Sequence, residues 1–267
     1  VTGVSMGSAQ VYAIAANGRE SNRITLWVPP RVATPIVWSS RVDGDYELYR
    51  ALPDQANLPA GRTRLTNNGF LDQDLRYAPD ASLVVFTSNR DGNNELYVAN
   101  ADGSAPTRLT VNAGNDQSPA WSPNGQYIAF VRDNQLHVMN ANGTGVRRLT
   151  TYAVDRPDWL NDTTIVHGYR NRGLSTIYVS STENANSEIY FGGGGVYQPA
   201  VSHDRSRILF RHGNGRLYII PSGGGVLQEV TSGAVDWTPV WLAEDQDVIF
   251  GRTVGAAERL MRLRLSD

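Results

Sequence analysis

The sequence contains no cysteine, and this absence excludes disulfide frameworks and thiol catalysis. It also contains no lysine, so all 24 basic residues are arginine, whose planar guanidinium makes bidentate ion pairs that an ammonium group cannot make. The formal net charge of only −2 gives no electrostatic argument for nucleic-acid or anionic-membrane binding. No segment reaches the roughly 18 apolar residues of a membrane span. We therefore expect neither nucleic-acid binding nor membrane insertion.

One phrase recurs along the whole chain. Its clearest copies run from Leu75 to Thr110 and from Pro119 to Thr150. Each copy opens with an aromatic residue and passes through a tight turn to a second aromatic residue. A Gly turn, a short apolar strand, another Gly turn and a Leu-Thr pair follow. Successive copies lie close to the roughly 40–45 residues of one four-stranded propeller blade, so the repeat predicts a β-propeller.

Two markers allow the copies to be counted. The opening marker falls at Trp27, Tyr77, Trp121, Trp159, Val201 and Trp241. The second marker falls at Trp38, Phe86, Phe130, His167, Phe210 and Phe250. The nearly constant distance between the two markers is expected for a two-stranded hairpin, because the turn fixes the strand register. Six such hairpins predict six blades.

We therefore predict an all-β fold, a six-bladed β-propeller of four-stranded antiparallel blades that forms one domain over residues 1–267. The predicted blades span about residues 23–70, 71–115, 116–153, 154–195, 196–235, and 236–267 together with 9–15. Only a third strand follows Phe250, whereas an extra strand, Gln10 to Ala15, precedes the first hairpin. We expect this N-terminal strand, at about residues 10–15, to complete the last blade and close the ring.

The best-preserved stretches resemble the PD40, or WD40-like, repeat of TolB-type β-propellers. The resemblance rests on P-x-W-S-P-[DN]-G-x-x-[IL]-A-F at Pro119–Phe130 and on S-x-R-D-G-x-x-[EQ]-[IL]-Y with R-L-T at Thr87–Thr110. Weaker copies extend it over essentially the whole chain. It implies a propeller in the bacterial periplasm or outside the cell. Propellers of this type include adaptor proteins, gating domains of peptidases and carbohydrate-acting lyases, so the fold does not name the activity.

The propeller prediction also places a candidate binding surface. The loops that lead into the innermost strands, and those between second and third strands, should lie at one end of the channel. We predict that the following residues bind a ligand there: Asp72, Asp74, Asp116, Asp155, Arg156, Tyr197, Asp236 and Trp237. Aromatic and Arg groups beside acids are typical of recognition surfaces. An Asp at a strand end also often caps backbone N–H groups, and the sequence leaves both roles open.

The same carboxylates raise the question of a bound ion. Asp72, Asp116 and Asp236 occupy corresponding positions in three copies, where they are candidate ligands of a calcium ion. Ca²⁺ takes six or more oxygen ligands, and Val154 and Val196 interrupt the ring. We therefore predict no cofactor, with calcium as the less favoured alternative.

The chain carries no convincing catalytic motif, so we predict no catalytic residue and leave enzymatic activity open. The letters G-x-S-x-G occur at Gly3–Gly7, but a nucleophile elbow needs a strand before the serine and a helix after it. The four histidines are dispersed and form no zinc-binding pair. The favoured function is a non-catalytic, monomeric scaffold that binds a protein or peptide partner at the channel mouth.

Two alternatives stay open. The first is a carbohydrate-active or hydrolytic propeller with a small-molecule pocket at the channel mouth. Its sequence support is Tyr197, Trp237 and His212 near the paired acids Asp72 and Asp74. The second is a spacer domain of a larger exported protein, which would have no ligand of its own.

Overall fold

The computed structural model describes residues 7–11, 24–28, 36–41, 45–51, 61–169, 177–181, 186–189, 195–232, 235–242, 245–254 and 257–265. Within these residues the fold is all-β, with 24 strands joined largely by tight turns. A helix long and apolar enough to cross a membrane is not found in them.

The strands form seven antiparallel sheets in the described residues. The first two sheets are β1 (Gly7–Val11) with β2 (Ile24–Val28), and β3 (Ile36–Arg41) with β4 (Tyr46–Ala51) and β5 (Thr63–Arg64). The next two are β6 (Asp72–Tyr77), β7 (Leu83–Ser88), β8 (Glu95–Asn100), β9 (Thr107–Arg108), and β10 (Asp116–Trp121), β11 (Tyr127–Arg132), β12 (Gln135–Asn140), β13 (Arg147–Arg148).

The remaining three sheets continue the same pattern along the chain. Two of them are β14 (Val154–Trp159), β15 (Thr164–Tyr169), β16 (Ile177–Ser181), β17 (Asn186–Ile189), and β18 (Val196–Val201), β19 (Arg207–His212), β20 (Leu217–Pro221), β21 (Gln228–Glu229). The last is β22 (Asp236–Trp241), β23 (Asp247–Val254), β24 (Ala257–Arg264). Strand order follows chain order in each sheet.

The prediction of six blades is wrong, because the residues that the structure describes form five. Each of the five sheets from β6 onward begins with a strand that carries a β-bulge, and four of these sheets have four strands. These bulged strands contact one another from blade to blade and are the inner strands of the propeller. The β3–β5 sheet packs against β6 but has no inner strand in the described residues, since β2 pairs with β1.

The predicted closure by the N-terminal strand is not found. In the described part of the chain, β1 pairs with β2 and the last blade has three strands. Residues 12–15, the remainder of the predicted closing strand, lie outside the described residues. The blade count and the closure failed for one physical reason. Trp38 marks only a local hairpin, β3 with β4. The pairing of an inner or closing strand is a non-local contact, and a hairpin signal does not specify it.

A bulge interrupts every inner strand near its middle. In β6 the register shifts between Gln73 and Arg76, and β10, β18 and β22 shift at the corresponding positions, whereas β14 shifts one residue earlier, between Val154 and Pro157. The third residue has a positive φ of 48–56° in four blades, at Asp74, Ser118, Gln198 and Thr238. Proline follows the third residue in four blades and tolerates the interrupted ladder because it has no N–H to leave unpaired. Bulges commonly re-aim side chains next to functional sites.

The closing threonine of the repeat fixes the outer strand to the third strand. Its hydroxyl oxygen accepts a hydrogen bond from a buried backbone N–H that would otherwise be unsatisfied. The pairs, at 2.9–3.0 Å, are Leu48 with Thr66, Leu96 with Thr110, Leu136 with Thr150 and Leu217 with Thr231. The Leu-Thr pair seen in the sequence therefore has a structural role.

The hydrophobic core lies between successive blades. Residues of β11 and β12 pack with Trp159 and Ile165 of the next blade, and all of these apolar side chains are buried. The opening aromatic also joins blades through its indole nitrogen. Trp159 Nε1 donates to the carbonyl of Ala120 at 3.0 Å, and Trp241 Nε1 donates to the carbonyl of Ala200 at 2.9 Å. This double role accounts for the tryptophans at these two marker positions, whereas Nε1 of the marker Trp121 is buried without a hydrogen-bond partner.

Candidate functional site

The loops before the inner strands and the loops between second and third strands lie at one end of the blades. Backbone hydrogen bonds connect them, since Asp116 N donates to Asn94 O at 2.8 Å and Val154 N donates to Asn134 O at 2.7 Å. We call this end, with the strand ends that it joins, the mouth face. Its loops are residues 67–71, 89–94, 111–115, 133–134, 151–153, 213–216, 232 and 235.

Three inner strands begin with a buried aspartate that an arginine of the same blade binds. The three carboxylates have no exposed surface, whereas the three guanidiniums are about one-fifth exposed. The pairs are Asp72 with Arg90, Asp116 with Arg132 and Asp236 with Arg252. In each pair the guanidinium donates to both carboxylate oxygens, at 2.6 and 2.9 Å in Arg252 for example. The carboxylates thus orient arginines at the mouth face.

Each of these arginines also stacks on an aromatic ring of its own blade. The guanidinium carbon of Arg132 lies 5.3 Å from the ring centre of Phe130, and that of Arg252 lies 5.1 Å from Phe250. Arg90 lies 4.6 Å from the ring centre of Tyr97. The ring and the carboxylate together hold the guanidinium in one orientation, which would reduce the entropy lost if it bound a ligand.

The ring of acids is interrupted at the two valines. Val154 and Val196 are buried at the positions that Asp72 and its counterparts occupy elsewhere. Among the described residues, no three His, Cys, Asp or Glu side chains converge in a way that could hold a metal ion. Asp72, Asp116 and Asp236, the candidate calcium ligands, each bind their own arginine. In the described residues these three carboxylates thus serve as partners of arginines, and the prediction of no cofactor, with calcium as the less favoured alternative, stays a prediction.

The other predicted acids connect inner strands of different blades. Asp74 Oδ1 accepts a hydrogen bond from Arg156 at 2.6 Å, and its Oδ2 accepts the backbone N–H of Ser118 at 3.2 Å. Asp155 is buried, and its Oδ2 accepts the backbone N–H of Gln198 at 3.0 Å. Of the predicted residues, the structure thus brings Asp74 and Arg156 together directly.

The two predicted aromatic residues are half-buried at the mouth end of their strands. The guanidinium of Arg211 lies 5.3 Å from the ring centre of Tyr197. The indole of Trp237 lies against Gly251, where a Cβ atom would stand 1.7 Å from Nε1. Gly195 is similarly close to Tyr197, because a Cβ atom there would stand 2.2 Å from Cε2 of the ring. Both rings therefore rest on glycines and keep one part of their surface accessible.

Exposed apolar side chains surround these groups. Phe70, Val111 and Val235 lie in loops before inner strands, and Tyr46 begins β4 at the same end of its sheet. Their exposed fractions are 45%, 77%, 48% and 40%. Apolar residues beside Arg, Tyr and Trp are the composition of protein-binding surfaces, whose central contacts are depleted in charge and enriched in aromatic residues and Arg.

Sequence reasoning missed two polar features. Arg76 and Asp158 lie deeper along the inner strands, and the reciprocal pattern Asp-x-Arg at 74–76 and Arg-x-Asp at 156–158 shows only when the copies are aligned by strand. Glu95 is buried beneath the mouth face. Burial raises its pKa, but hydrogen bonds from Thr110, Asn112, Arg108 and Asn93 outweigh burial and lower the pKa below its ordinary value. The repeated Glu-Leu-Tyr indicated only a strand.

The comparison with known families agrees with this geometry. Residues 33–136 match the TolB beta propeller domain, PD40, and residues 112–165 match the dipeptidyl peptidase IV N-terminal region. The Tol-Pal system protein TolB of Xanthomonas campestris pv. campestris is 27% identical over 114 residues, which cover 41% of this chain. Residues 33–136 of the chain are thus a PD40 repeat region of the TolB type.

Solved structures show the same fold. TolB from Acinetobacter baumannii superimposes with a TM-score of 0.73 at 15% identity, covering 93% of this chain and 71% of that chain. A puromycin-hydrolyzing peptidase of Mycobacterium tuberculosis gives 0.66 at 16% identity, covering 98% of this chain and 51% of that one. The matched region spans about a quarter, 26%, of the curated Xanthomonas relative. These similarities concern the propeller.

Proposed function

We propose that this TolB-type propeller is a non-catalytic scaffold that binds a protein or peptide partner through its mouth face. The observation that carries the proposal is the placement of exposed apolar side chains. Phe70, Val111 and Val235 occupy three separate loops at the mouth face. At the same end lie Tyr197, Trp237 and the three arginines that are ion-paired with buried aspartates. Such a surface loses little conformational entropy on binding because its charged groups are already held.

The contacts favour binding over turnover. A hydrolytic pocket near Asp72 would need a carboxylate that can exchange protons with a substrate, and this carboxylate is fully buried and bound by Arg90. His212 lies opposite Val196 in another blade. General acid–base catalysis needs the reacting groups within hydrogen-bond reach of one site. The acids at the mouth face instead support arginines.

The family similarity supports a protein partner and an extracytoplasmic location. The Xanthomonas relative is named a Tol-Pal system protein. From this similarity we propose that the partner of the present chain is also a protein. We also propose the bacterial periplasm or the cell exterior as its location. Both proposals rest on relatedness, since a shared propeller fold hosts many functions.

Paired surface variants test the proposal. Phe70→Glu with Val111→Glu places two charges on the mouth face. Val226→Glu with Leu227→Glu places two charges in a loop at the opposite end of a blade, where these side chains are 85% and 38% exposed. Affinity capture from an envelope extract should retain a partner with the wild type and the Val226/Leu227 variant and lose it with the Phe70/Val111 variant. Equal retention by both variants would contradict the proposal.

A further inference from the structure

Charged residues in the inner strands are concentrated on two blades. Strand β6 contributes Asp74 and Arg76 at its third and fifth residues, and β14 contributes Arg156 and Asp158 at the same positions. The other inner strands carry neutral residues there, namely Ser118 and Ala120, Gln198 and Ala200, and Thr238 and Val240. A narrow open cleft lies where β6, β10 and β14 meet, and Asp74, Arg76, Ser118, Pro119, Arg156 and Pro157 line it.

The first of the two possible ion pairs is closed. Arg156 Nη2 donates to Asp74 Oδ1 at 2.6 Å. Asp74 Oδ2 accepts hydrogen bonds from the backbone N–H and the hydroxyl of Ser118, both at 3.2 Å. Asp74 therefore uses both oxygens within the protein, and its charge is balanced by Arg156.

The second possible pair, Arg76 with Asp158, is open. Among the described residues, no carboxylate oxygen lies within 4.0 Å of Arg76, whose one hydrogen bond runs from Nη1 to the carbonyl of Leu75 at 3.1 Å. Asp158 accepts the backbone N–H groups of Val201 and Trp159, both at 2.8 Å. A guanidinium has five N–H donors, so most donors of Arg76 have no acceptor in the described part of the protein.

The surroundings of Arg76 are those of an anion site. The side chain of Arg76 keeps exposed surface in the cleft. The surrounding strands nevertheless desolvate its guanidinium. This desolvation, followed by the charge of Arg156, lowers the pKa of Arg76. A cation in such surroundings gains from an oxyanion that occupies its free donors. Asp74 and Asp158 lie close enough to raise the pKa of Arg76. Their carboxylates would also repel a second negative charge on a bound anion. This balance favours a monoanion over a dianion.

We propose that Arg76 binds one carboxylate of the partner, either a chain end or the side chain of an Asp or Glu that enters the cleft. The proposal deepens the proposed function and rests on it. Arg supplies two parallel N–H donors that match the two oxygens of a carboxylate.

The test titrates the full chain with sodium acetate and follows the Nε–Hε resonances of arginine by NMR at constant ionic strength. The resonance that Arg76→Gln removes identifies Arg76. We expect it to shift saturably with acetate and to shift at least fivefold less at equal concentrations of sodium chloride. A linear, non-saturating shift that chloride reproduces would overturn the proposal. A saturable shift at lower concentrations of phosphate than of acetate would overturn the choice of a carboxylate.

Two controls keep this test separate from that of the proposed function. Arg147→Gln removes the same charge from an exposed outer-strand position and should leave the acetate response of Arg76 unchanged. Arg76→Lys keeps the charge but loses the fork, and we expect its affinity for the captured partner to fall at least threefold. If Arg76→Gln and Arg76→Lys bind the partner as the wild type does, while Phe70→Glu with Val111→Glu does not, the carboxylate site is overturned and the proposed function stands.

Discussion

Arg132 binds Asp116 through two hydrogen bonds, from Nε to Oδ1 at 2.6 Å and from Nη2 to Oδ2 at 2.8 Å. The pair joins β10 to β11 within one blade, and the same fork recurs between Arg252 and Asp236. In the third pair, Nη2 of Arg90 alone donates to both oxygens of Asp72, at 3.2 Å. The aspartates are therefore internal supports, and the arginines are the exposed groups of these pairs. A surface without lysine suits this arrangement, because only arginine can bind a carboxylate through two parallel donors and still stack on a ring.

Asp116→Asn should destabilise the fold. It leaves the guanidinium of Arg132, about one-fifth exposed, beside a group that has lost its charge. We expect a loss of roughly 2–4 kcal/mol in the free energy of unfolding, since removing one partner of a buried ion pair leaves the charge of the other partner uncompensated. Urea unfolding measures this loss. Glu229→Gln is the control, because Glu229 and Arg216 form an exposed pair that contributes about 0–1 kcal/mol. Equal midpoints for the two variants would contradict the structural role of Asp116.

His167→Phe should reduce the sensitivity of the fold to acid. Burial lowers the pKa of His167 to about 4 from its ordinary 6.5. Between these values the unfolded chain binds a proton that the folded chain does not, so His167 makes stability fall as the pH falls through this window. The contribution at pH 5 is on the order of 1–2 kcal/mol. Phenylalanine is the residue that most other copies carry at this position.

The measurement for His167 is the difference between unfolding midpoints at pH 7.5 and pH 5. We expect this difference to be smaller in His167→Phe than in the wild type. Carboxylates contribute to both proteins equally and cancel in the comparison. An unchanged difference would show that His167 is not buried in its neutral form.

Gly103→Ala should cost more stability than Gly92→Ala. Both glycines follow an aspartate in a turn and have positive φ, of 84° and 104°. Each substitution therefore costs roughly 1–2 kcal/mol in backbone strain. A Cβ at Gly103 would also lie 2.2 Å from the carbonyl oxygen of Leu65, whereas a Cβ at Gly92 meets nothing within 4 Å. Overpacking at Gly103 adds roughly 1–3 kcal/mol to this cost. Thermal unfolding of the two variants measures the difference between their losses of stability. Equal losses would argue against this close approach.

Gly251→Ala should displace the indole of Trp237. A Cβ at Gly251 would stand 1.7 Å from its Nε1, so the half-buried ring must move away. We expect a changed near-ultraviolet circular dichroism signal and at least fivefold weaker partner binding. Gly69→Ala is the control on the same face, because a Cβ there meets nothing within 4 Å. Partner binding that survives in Gly251→Ala would remove Trp237 from the proposed surface.

The all-β propeller and its repeat were predictable because their signals are local. An aromatic residue, a turn and a Leu-Thr pair each act within one blade, and Thr110 shows why the threonine recurs. The blade count failed because the hairpin at Trp38 looks like the others in sequence, while the inner strand that its sheet lacks in the described residues is a non-local feature. The letters of Gly3–Gly7 remain untested, since residues 3–6 lie outside the described residues.

The candidate site was predictable in position more than in chemistry. Strand order placed Asp72 and Trp237 at one end of the blades, as the structure does. The partners of the acids were not predictable, because Arg90 approaches Asp72 through strand pairing and stacking that no local motif encodes. Arg76 was missed because its significance depends on Asp158 being occupied by backbone N–H groups, one of them from a different blade. The binding role of the predicted residues stays a prediction.

Site-specific photo-cross-linking tests the central proposal most directly. A photoreactive phenylalanine analogue replaces Trp237 at the mouth face in one variant and Val226 at the opposite end of a blade in another. After irradiation in the source cells, we predict a discrete cross-linked partner from position 237 and none from position 226. A partner cross-linked from position 226 alone would contradict the assignment of the mouth face as the binding surface.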